Sequence, residues 1–305
     1  MTTRQVGELK ITRIGEQMGP GATPTELLPD WQDDFAREHA HWLAPNYYDP
    51  ATNRLVSSIH SWLIQTRHHT ILIDTCCGNH KHRPGNPRFH NLDTPYLDRL
   101  LAAGVCPEDV DFVMCTHLHG DHVGWNTRLV DGRWVPTFPN AKYVFSRTER
   151  DCFDPDRNPT LGDRFRESNP LLVERFRLTF EDSISPIIAA GQDHVVEMTD
   201  ALDDGFLIEP APGHTPGHII LRALSQGREA LFAGDVLHHP AQVYRPEWND
   251  VLCADPVAAI ASRKRVLGHC AEHGSLFMPG HFATPHLGRV REKGGDFSFE
   301  FDWAD

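Results

Sequence analysis

The feature that most constrains this chain is the run His117-Leu118-His119-Gly120-Asp121-His122, which places three imidazoles and one carboxylate within six residues. The preceding segment, DVDFVMCT (109–116), reads as a short buried strand. The cluster therefore stands where a strand gives out, the rim at which sites are normally built. Alternate residues of an extended segment project to the same side, so His117 and His119 can bind one ion together. Gly120 lets the backbone turn, and Asp121 and His122 then face a neighbouring point. Without a cation, the same groups would bring several polar rings together beside an apolar strand, at a cost in desolvation.

Three further segments repeat this grammar. PGHTPGH (212–218) carries His214 and His218, AGD (233–235) carries Asp235 behind the apolar pair LF, and PGH (279–281) carries His281 behind LFM. Each sets a His or Asp at a strand end beside a turn. Histidine is in surplus, 20 in 305 residues, and is the commonest metal ligand. Singly, most of these histidines, His39 and His269 among them, read as ordinary surface or core residues.

Between these points the chain alternates strands and helices. Residues 6–14, 55–66, 69–75 and 141–146 read as strands, as do four short runs within 194–235 and a final one at 275–281. Residues 94–103 suit a helix capped by Thr94, with Pro95 at its first position and Gly104 past its end. Residues 161–181 read as helix interrupted near Asn169-Pro170, and 256–273 as a helix opening after Asp255. Segment 17–54 is irregular, with Trp31, Phe35, Trp42, Tyr47 and Tyr48 scattered through it and a short helix around 31–40. It serves as a pocket wall, a dimer contact or a wrap over the core. No linker or low-complexity tract interrupts the chain, so 1–305 reads as one domain with 17–54 as an extension. The second half weakly echoes the first, as in a sheet–sheet core with helices on both outer faces.

Composition narrows the partners. Lys plus Arg is 29 against 42 Asp plus Glu, a formal net charge of −13. Such a surface repels phosphate backbones and anionic lipid, which disfavours nucleic acid and membrane partners. No apolar run approaches the length of a bilayer span, and the N-terminus lacks the apolar centre of a signal peptide. Seven cysteines without framework spacing read as reduced thiols in a cytoplasmic protein. Adjacent Cys76 and Cys77 read as small buried residues.

The pattern THLHGDH (116–122), GHTPGH (213–218), GD (234–235) and GH (280–281), in that order, resembles the metallo-β-lactamase-fold hydrolases. DTCCGN (74–79), HVGW (122–125) and GDVLHHPAQ (234–242) make it most similar to the branch of acyl-homoserine lactonases and methyl-parathion-type organophosphate hydrolases. The resemblance implies an α/β fold, an αβ/βα sandwich of two mixed sheets with helices outside, and two divalent metal ions. By motif, His117, His119 and His214 would bind one ion, Asp121, His122 and His281 the other, and Asp235 both. Zinc suits these donors, as do manganese, iron and cobalt. A water shared by the two ions would attack a carbonyl or phosphoryl centre of a small ester, lactone or organophosphate, with Asp121 as proton relay. The branch also implies a homodimer. Amide substrates such as β-lactams, or redox chemistry of a mononuclear iron sulfur-dioxygenase type, are the alternatives on the same fold. No G-x-S-x-G, H-E-x-x-H or P-loop signature supports a competing catalytic grammar.

Three residues near the ligand positions carry open readings. Asp74, ending ILID, either orients a metal-binding histidine from behind or caps a turn. His218 is read as a hydrogen-bonding structural residue of the rim. His238 stands three residues after Asp235, where the lactonase branch commonly has a tyrosine that helps the substrate oxygen. Here that role fails to carry over by residue type, and His238 is read as a hydrogen-bond donor to substrate or as structure.

Overall fold

The computed structural model describes residues 2–197, 199–203 and 205–303. The chain forms two compact units: Met1–Glu16 with Ile59–Asp200, and Gln17–Ser58 with Ala201–Asp305. Among the described residues no helix is long and apolar enough to cross a membrane.

Among the described residues, ten strands precede residue 200: β1 (Thr3–Val6), β2 (Leu9–Pro20), β3 (Tyr48–Asp49), β4 (Arg54–Gln65), β5 (Thr70–Ile73), β6 (Phe112–Met114), β7 (Thr127–Val130), β8 (Arg133–Pro136), β9 (Lys142–Ser146) and β10 (Asp193–Val196). Their main sheet is ordered β1-β2-β4-β5-β6-β9-β10, with β3 paired to the start of β4, and β7–β8 form a separate hairpin. The first strand expected, 6–14, straddles a turn. Val6 pairs with Leu9 across Gly7-Glu8, and Gly7 adopts φ 57°. The turn between β4 and β5 is held by the Thr66 hydroxyl, which accepts the His68 and His69 N–H groups at 3.0 and 2.8 Å.

From β5 onward the sheet runs parallel through β6, β9 and β10. Parallel strands covered on both faces read as continuous apolar runs, as TILI, FVM and YVF do here. Leu63, Leu72, Val113 and Phe145 pack with Tyr96 and Leu100 of the helix Tyr96–Ala102 and with Ile184 and Ile187. That helix opens two residues after Thr94. The Thr94 hydroxyl turns instead to Glu16 and Asn79, at 3.4 and 3.3 Å, so Thr94 is no cap. The helix Pro170–Thr179 is capped by the Asn169 side chain, which accepts the Leu172 N–H at 3.1 Å, and the chain continues through a wide turn at Phe180–Ile184.

Gly124 shows how closely the first unit packs. A Cβ on it would lie 1.8 Å from the Cys77 carbonyl oxygen, and backbone has no rotamer with which to give way. Gly124→Ala is expected to cost about 3 kcal/mol, seen as a fall of several degrees in the melting midpoint. An unchanged midpoint would mean that loop 76–78 yields.

The second unit holds β11 (Asp200–Asp203) from its second residue onward, β12 (Phe206–Pro210), β13 (Ile219–Ser225), β14 (Arg228–Gly234), β15 (Leu276–Pro279), β16 (Gly288–Lys293) and β17 (Asp296–Phe301), hydrogen-bonded in that order. Met198, within the strand read from 194, lies outside the described residues. β16 and β17 extend the sheet past 281, where the sequence reading stopped. Lys293 pairs with Asp296 across Gly294-Gly295, both at positive φ, a two-residue hairpin turn. The helix Pro256–His273 is capped by Asp255, whose side chain accepts the Val257 and Ala258 N–H groups at 3.0 Å, and ends at left-handed Gly274.

Segment 17–54 is more ordered than its composition suggests. It contains the helices Pro24–Leu27, Asp33–Glu38 and Ala40–Leu43. Four of its five aromatic residues are core: Trp31, Phe35, Trp42 and Tyr47 are buried with Trp248 and Phe282, and Tyr48 is half-buried against them. Trp42 stacks on Tyr244 at 5.1 Å and Trp31 packs on Trp248 at 5.7 Å. Helices of four to six residues are shorter than the window over which a helical period can be read, so sequence alone shows only scattered aromatics.

Candidate metal centre

In the first unit the parallel strands β5, β6 and β9 end at one rim. β5 passes into Asp74, which adopts φ 56° and donates its N–H to Met114 O at 2.9 Å. β6 passes through Cys115 and Thr116 into His117. The Asp74 carboxylate accepts the Thr116 N–H on Oδ1, and the Thr116 hydroxyl and His122 Nδ1 on Oδ2, each at 2.8 Å. With its proton given to Asp74, the Thr116 oxygen can only accept from His117 Nδ1, 3.1 Å away. Both His117 and His122 thus carry their proton on Nδ1, and both Nε2 lone pairs are left for another partner. His117 Nε2 lies 3.1 Å from His119 Nδ1, and His122 Nε2 lies 4.0 Å from Asp121 Oδ2. His117, His119 and His122 are all buried.

Two carboxylates hold this rim from behind. Glu149, on the helix that β9 feeds through its Ser146 cap, accepts the Leu118 N–H at 3.0 Å. Glu16 accepts from Cys77 N (2.8 Å), Gly78 N (3.2 Å) and Trp125 Nε1 (2.7 Å). Burial pushes the Glu16 carboxyl above its ordinary range in spite of these donors. Burial likewise drives the Cys76 and Cys77 thiols well up, which leaves them inert.

In the second unit the ends of β12, β14 and β15 and the start of β13 lie together. Ala211–His218 bridges β12 and β13, closed by Ala211 N–H on His218 O at 2.8 Å. Gly213 sits at φ 135° with its Cα against the backbone of Ala259, where a Cβ would fall 2.1 Å from Ala259 N. The pairing of β14 with β15 slips between Phe232 and Gly234, just before Asp235. Bulges of this kind re-aim the following side chain. The Asp235 N–H donates to His218 Nε2 at 3.0 Å, so His218 positions the backbone of Asp235 with the nitrogen a metal would need.

The Asp235 carboxylate is the focus of three imidazoles. His281 Nε2 lies 3.1 Å away, His238 Nε2 3.0 Å and His214 Nε2 3.5 Å. The far side of each ring also meets an oxygen. His281 Nδ1 is 3.2 Å from the Ser58 carbonyl, and His214 Nδ1 and His238 Nδ1 are 3.6 and 3.5 Å from the two oxygens of Asp250. Asp250 is fully buried and also accepts the Leu252 N–H and the Cys253 thiol, both at 2.8 Å. Burial alone would raise its carboxyl; the imidazoles of His238 and His214, when protonated, outweigh burial and hold it well below the ordinary carboxylate range.

A neutral imidazole has one N–H and one lone pair. Set between two acceptors, it either takes up a second proton or meets one of them lone pair to lone pair. His214, His238 and His281 all stand in that position, and a cation beside Asp235 would relieve it at each ring. The donor set thus fits a divalent ion: neutral nitrogens and carboxylates, buried, and oriented from behind.

Of the residues expected from sequence, the first unit brings together His117, His119, Asp121, His122 and Asp74, and the second His214, His218, Asp235, His238 and His281. The Asp74 carboxylate is directed onto His122 and, through Thr116, onto His117. His238 lies against Asp235 and Asp250. Four contributors escaped the sequence reading: Asp250, Glu149, Glu16 and Thr116. Only Thr116, adjoining the histidine run, had a local signal.

Comparison with known proteins gives consistent matches. The metallo-beta-lactamase superfamily profile matches residues 54–269. N-acyl homoserine lactonase AttM of Rhizobium radiobacter is 26% identical over 196 residues, 62% of this chain and 64% of that protein, so the match spans just under two thirds of that relative. The crystal structure of hydrolase AbOPH, in the beta lactamase superfamily, superposes with a TM-score of 0.82 at 25% identity, covering 99% of this chain and 97% of that one. AidC, a dizinc quorum-quenching lactonase solved with a product, shares the fold with a TM-score of 0.78 at 22% identity over 99% and 97% of the two chains.

Proposed function

We propose, since this chain belongs to the metallo-beta-lactamase superfamily, that it is a metal-dependent hydrolase with two divalent ions, cleaving a small ester, lactone or organophosphate. The observation that carries the reading is the double-acceptor setting of the second unit's histidines, together with the Nδ1-protonated His117 and His122 of the first. A lactonase relative supports the lactone among these substrates, and a hydrolase of the same fold supports hydrolysis.

By the family pattern, His117, His119 and His214 would hold one ion, Asp121, His122 and His281 the other, and Asp235 would serve both. Zinc is the first choice for such donors, with manganese, iron or cobalt as substitutes. Bound there, the ions supply Lewis acidity toward the scissile carbonyl or phosphoryl group and a nucleophilic water at neutral pH. Asp74 keeps His122 and His117 in the tautomer that presents Nε2. Asp121 takes up the proton of the attacking water on a carboxylate oxygen. His218 and the bulge before Asp235 hold that carboxylate in place.

The test is a hydrolysis panel of N-acyl homoserine lactones, other lactones, aryl esters, phosphotriesters and β-lactams, with metal quantified alongside. We expect about two divalent ions per chain, abolition of activity by a chelator, and recovery with zinc, manganese or cobalt. Full hydrolysis by thoroughly metal-free protein would refute the reading.

A further inference from the structure

His238 and His239 are neighbours in sequence with opposite surroundings. His239 Nε2 donates to the Tyr47 carbonyl at 3.0 Å and its Nδ1 accepts the Ala241 N–H at 3.2 Å. One acceptor and one donor satisfy a neutral ring completely, and burial keeps His239 neutral by pushing its pKa down to about 4. His238 meets an acceptor on each side, Asp235 Oδ2 at 3.0 Å and Asp250 Oδ2 at 3.5 Å. That is the setting of His214 and His281, the two histidines of this unit that the family pattern makes metal donors.

The match extends to placement. His238 stacks on His281, with centroids 5.3 Å apart and planes 18° apart, and lies 4.9 Å from the His214 ring. A ligand atom from each of Asp235, His238 and His281 falls within 4.8 Å of the others. The position is held from the backbone. Gln242 Oε1 accepts the His238 and His239 N–H groups at 2.7 and 3.2 Å, and Gln242 Nε2 is tied to Trp248 O at 2.9 Å. The ring is buried.

We propose that His238 is a further metal donor, joining Asp235 and His281 through Nε2, and that Asp250 orients it by facing Nδ1. The assignment rests on the reading of this centre as a metal site and is independent of which bond is hydrolysed. It replaces the role of hydrogen-bond donor to substrate expected from sequence. A histidine in this place adds a nitrogen ligand where the lactonase branch commonly has a phenol.

The experiment measures metal affinity by competition with a chromogenic chelator, and the visible absorption of the cobalt-loaded protein, for wild type, His238→Phe and His238→Gln. Circular dichroism and melting establish that the variants fold. The expected result is a loss of affinity for one ion of at least about 10-fold in both variants, with an altered cobalt band. Unchanged affinity and an unchanged cobalt spectrum, with only KM or kcat moved, would overturn the proposal and leave the metallohydrolase reading standing. A wild-type protein that binds no metal would overturn both. Should His238→Phe not fold, His238→Gln alone decides, because Gln retains a polar group against Asp250.

Discussion

Asp235→Ala is expected to lose metal and hydrolysis together. His214, His238 and His281 all converge on the Asp235 carboxylate, at 3.0 to 3.5 Å. Its removal deletes a charged donor and leaves three imidazoles facing one another across an empty centre. Metal content should fall from about two ions per chain to below one, and kcat/KM by on the order of 1000-fold. Asp235→Asn keeps the volume and one neutral oxygen, and should fall between wild type and Ala in both measurements. Metal analysis and steady-state kinetics on the same preparations make the test. Full metal and full activity in the Ala variant would remove Asp235 from the centre.

The largest expected effect on stability lies in the first unit, at Asp182→Ala. Asp182 takes a two-pronged contact from Arg83, at 2.7 and 2.9 Å, and lies 3.5 Å from the Lys81 ammonium. Lys81 and Arg83 are both buried. Lys81 further donates to Thr127 Oγ1 at 2.6 Å and sits 3.5 Å above the Trp134 ring. Burial pushes the Lys81 ammonium down to about 7 even beside Asp182, so without its partner this lysine can shed its proton. Arg83 cannot, because a guanidinium stays charged in any protein interior. Breaking a buried pair from one side typically costs about 3–5 kcal/mol, and a loss of that size lowers the melting midpoint by roughly 10 °C.

The same substitution bears on the loop carrying His119 and Asp121, since a Cβ on Gly120 would lie 3.2 Å from Arg83 Nε. A triple variant, Lys81→Met, Arg83→Met and Asp182→Leu, should recover most of the lost stability, because an apolar cluster of similar volume replaces the charges. A melting midpoint for Asp182→Ala within about 1 °C of wild type would contradict the argument.

Much of the fold and centre is legible along the chain because its signals are local. An apolar run that stops at a turn marks a strand end, and a His or Asp there marks a rim; 109–122, 212–218, 233–235 and 279–281 all read that way. Asp255 before Pro256 and Gly274 after His273 bound the long helix for equally local reasons. Two hairpin turns, Asp131-Gly132 and Gly294-Gly295, carried equally local signals that the reading passed over. The helices of 17–54 carried none, being too short to show a period.

Asp250 marks the boundary of that legibility. In the stretch NDVLCAD it is one of two acidic residues, and nothing nearby sets it apart. Its role comes from packing between two histidines that lie elsewhere in the chain. His238 and His239 make the same point in adjacent positions. Residue type alone offers two identical rings; one is satisfied by Tyr47 and Ala241, the other is caught between Asp235 and Asp250. Donor chemistry and its place at a strand end follow from neighbours in the chain. The face of each ring that meets an acceptor is set by long-range packing, which is where the surroundings of each candidate donor are decided.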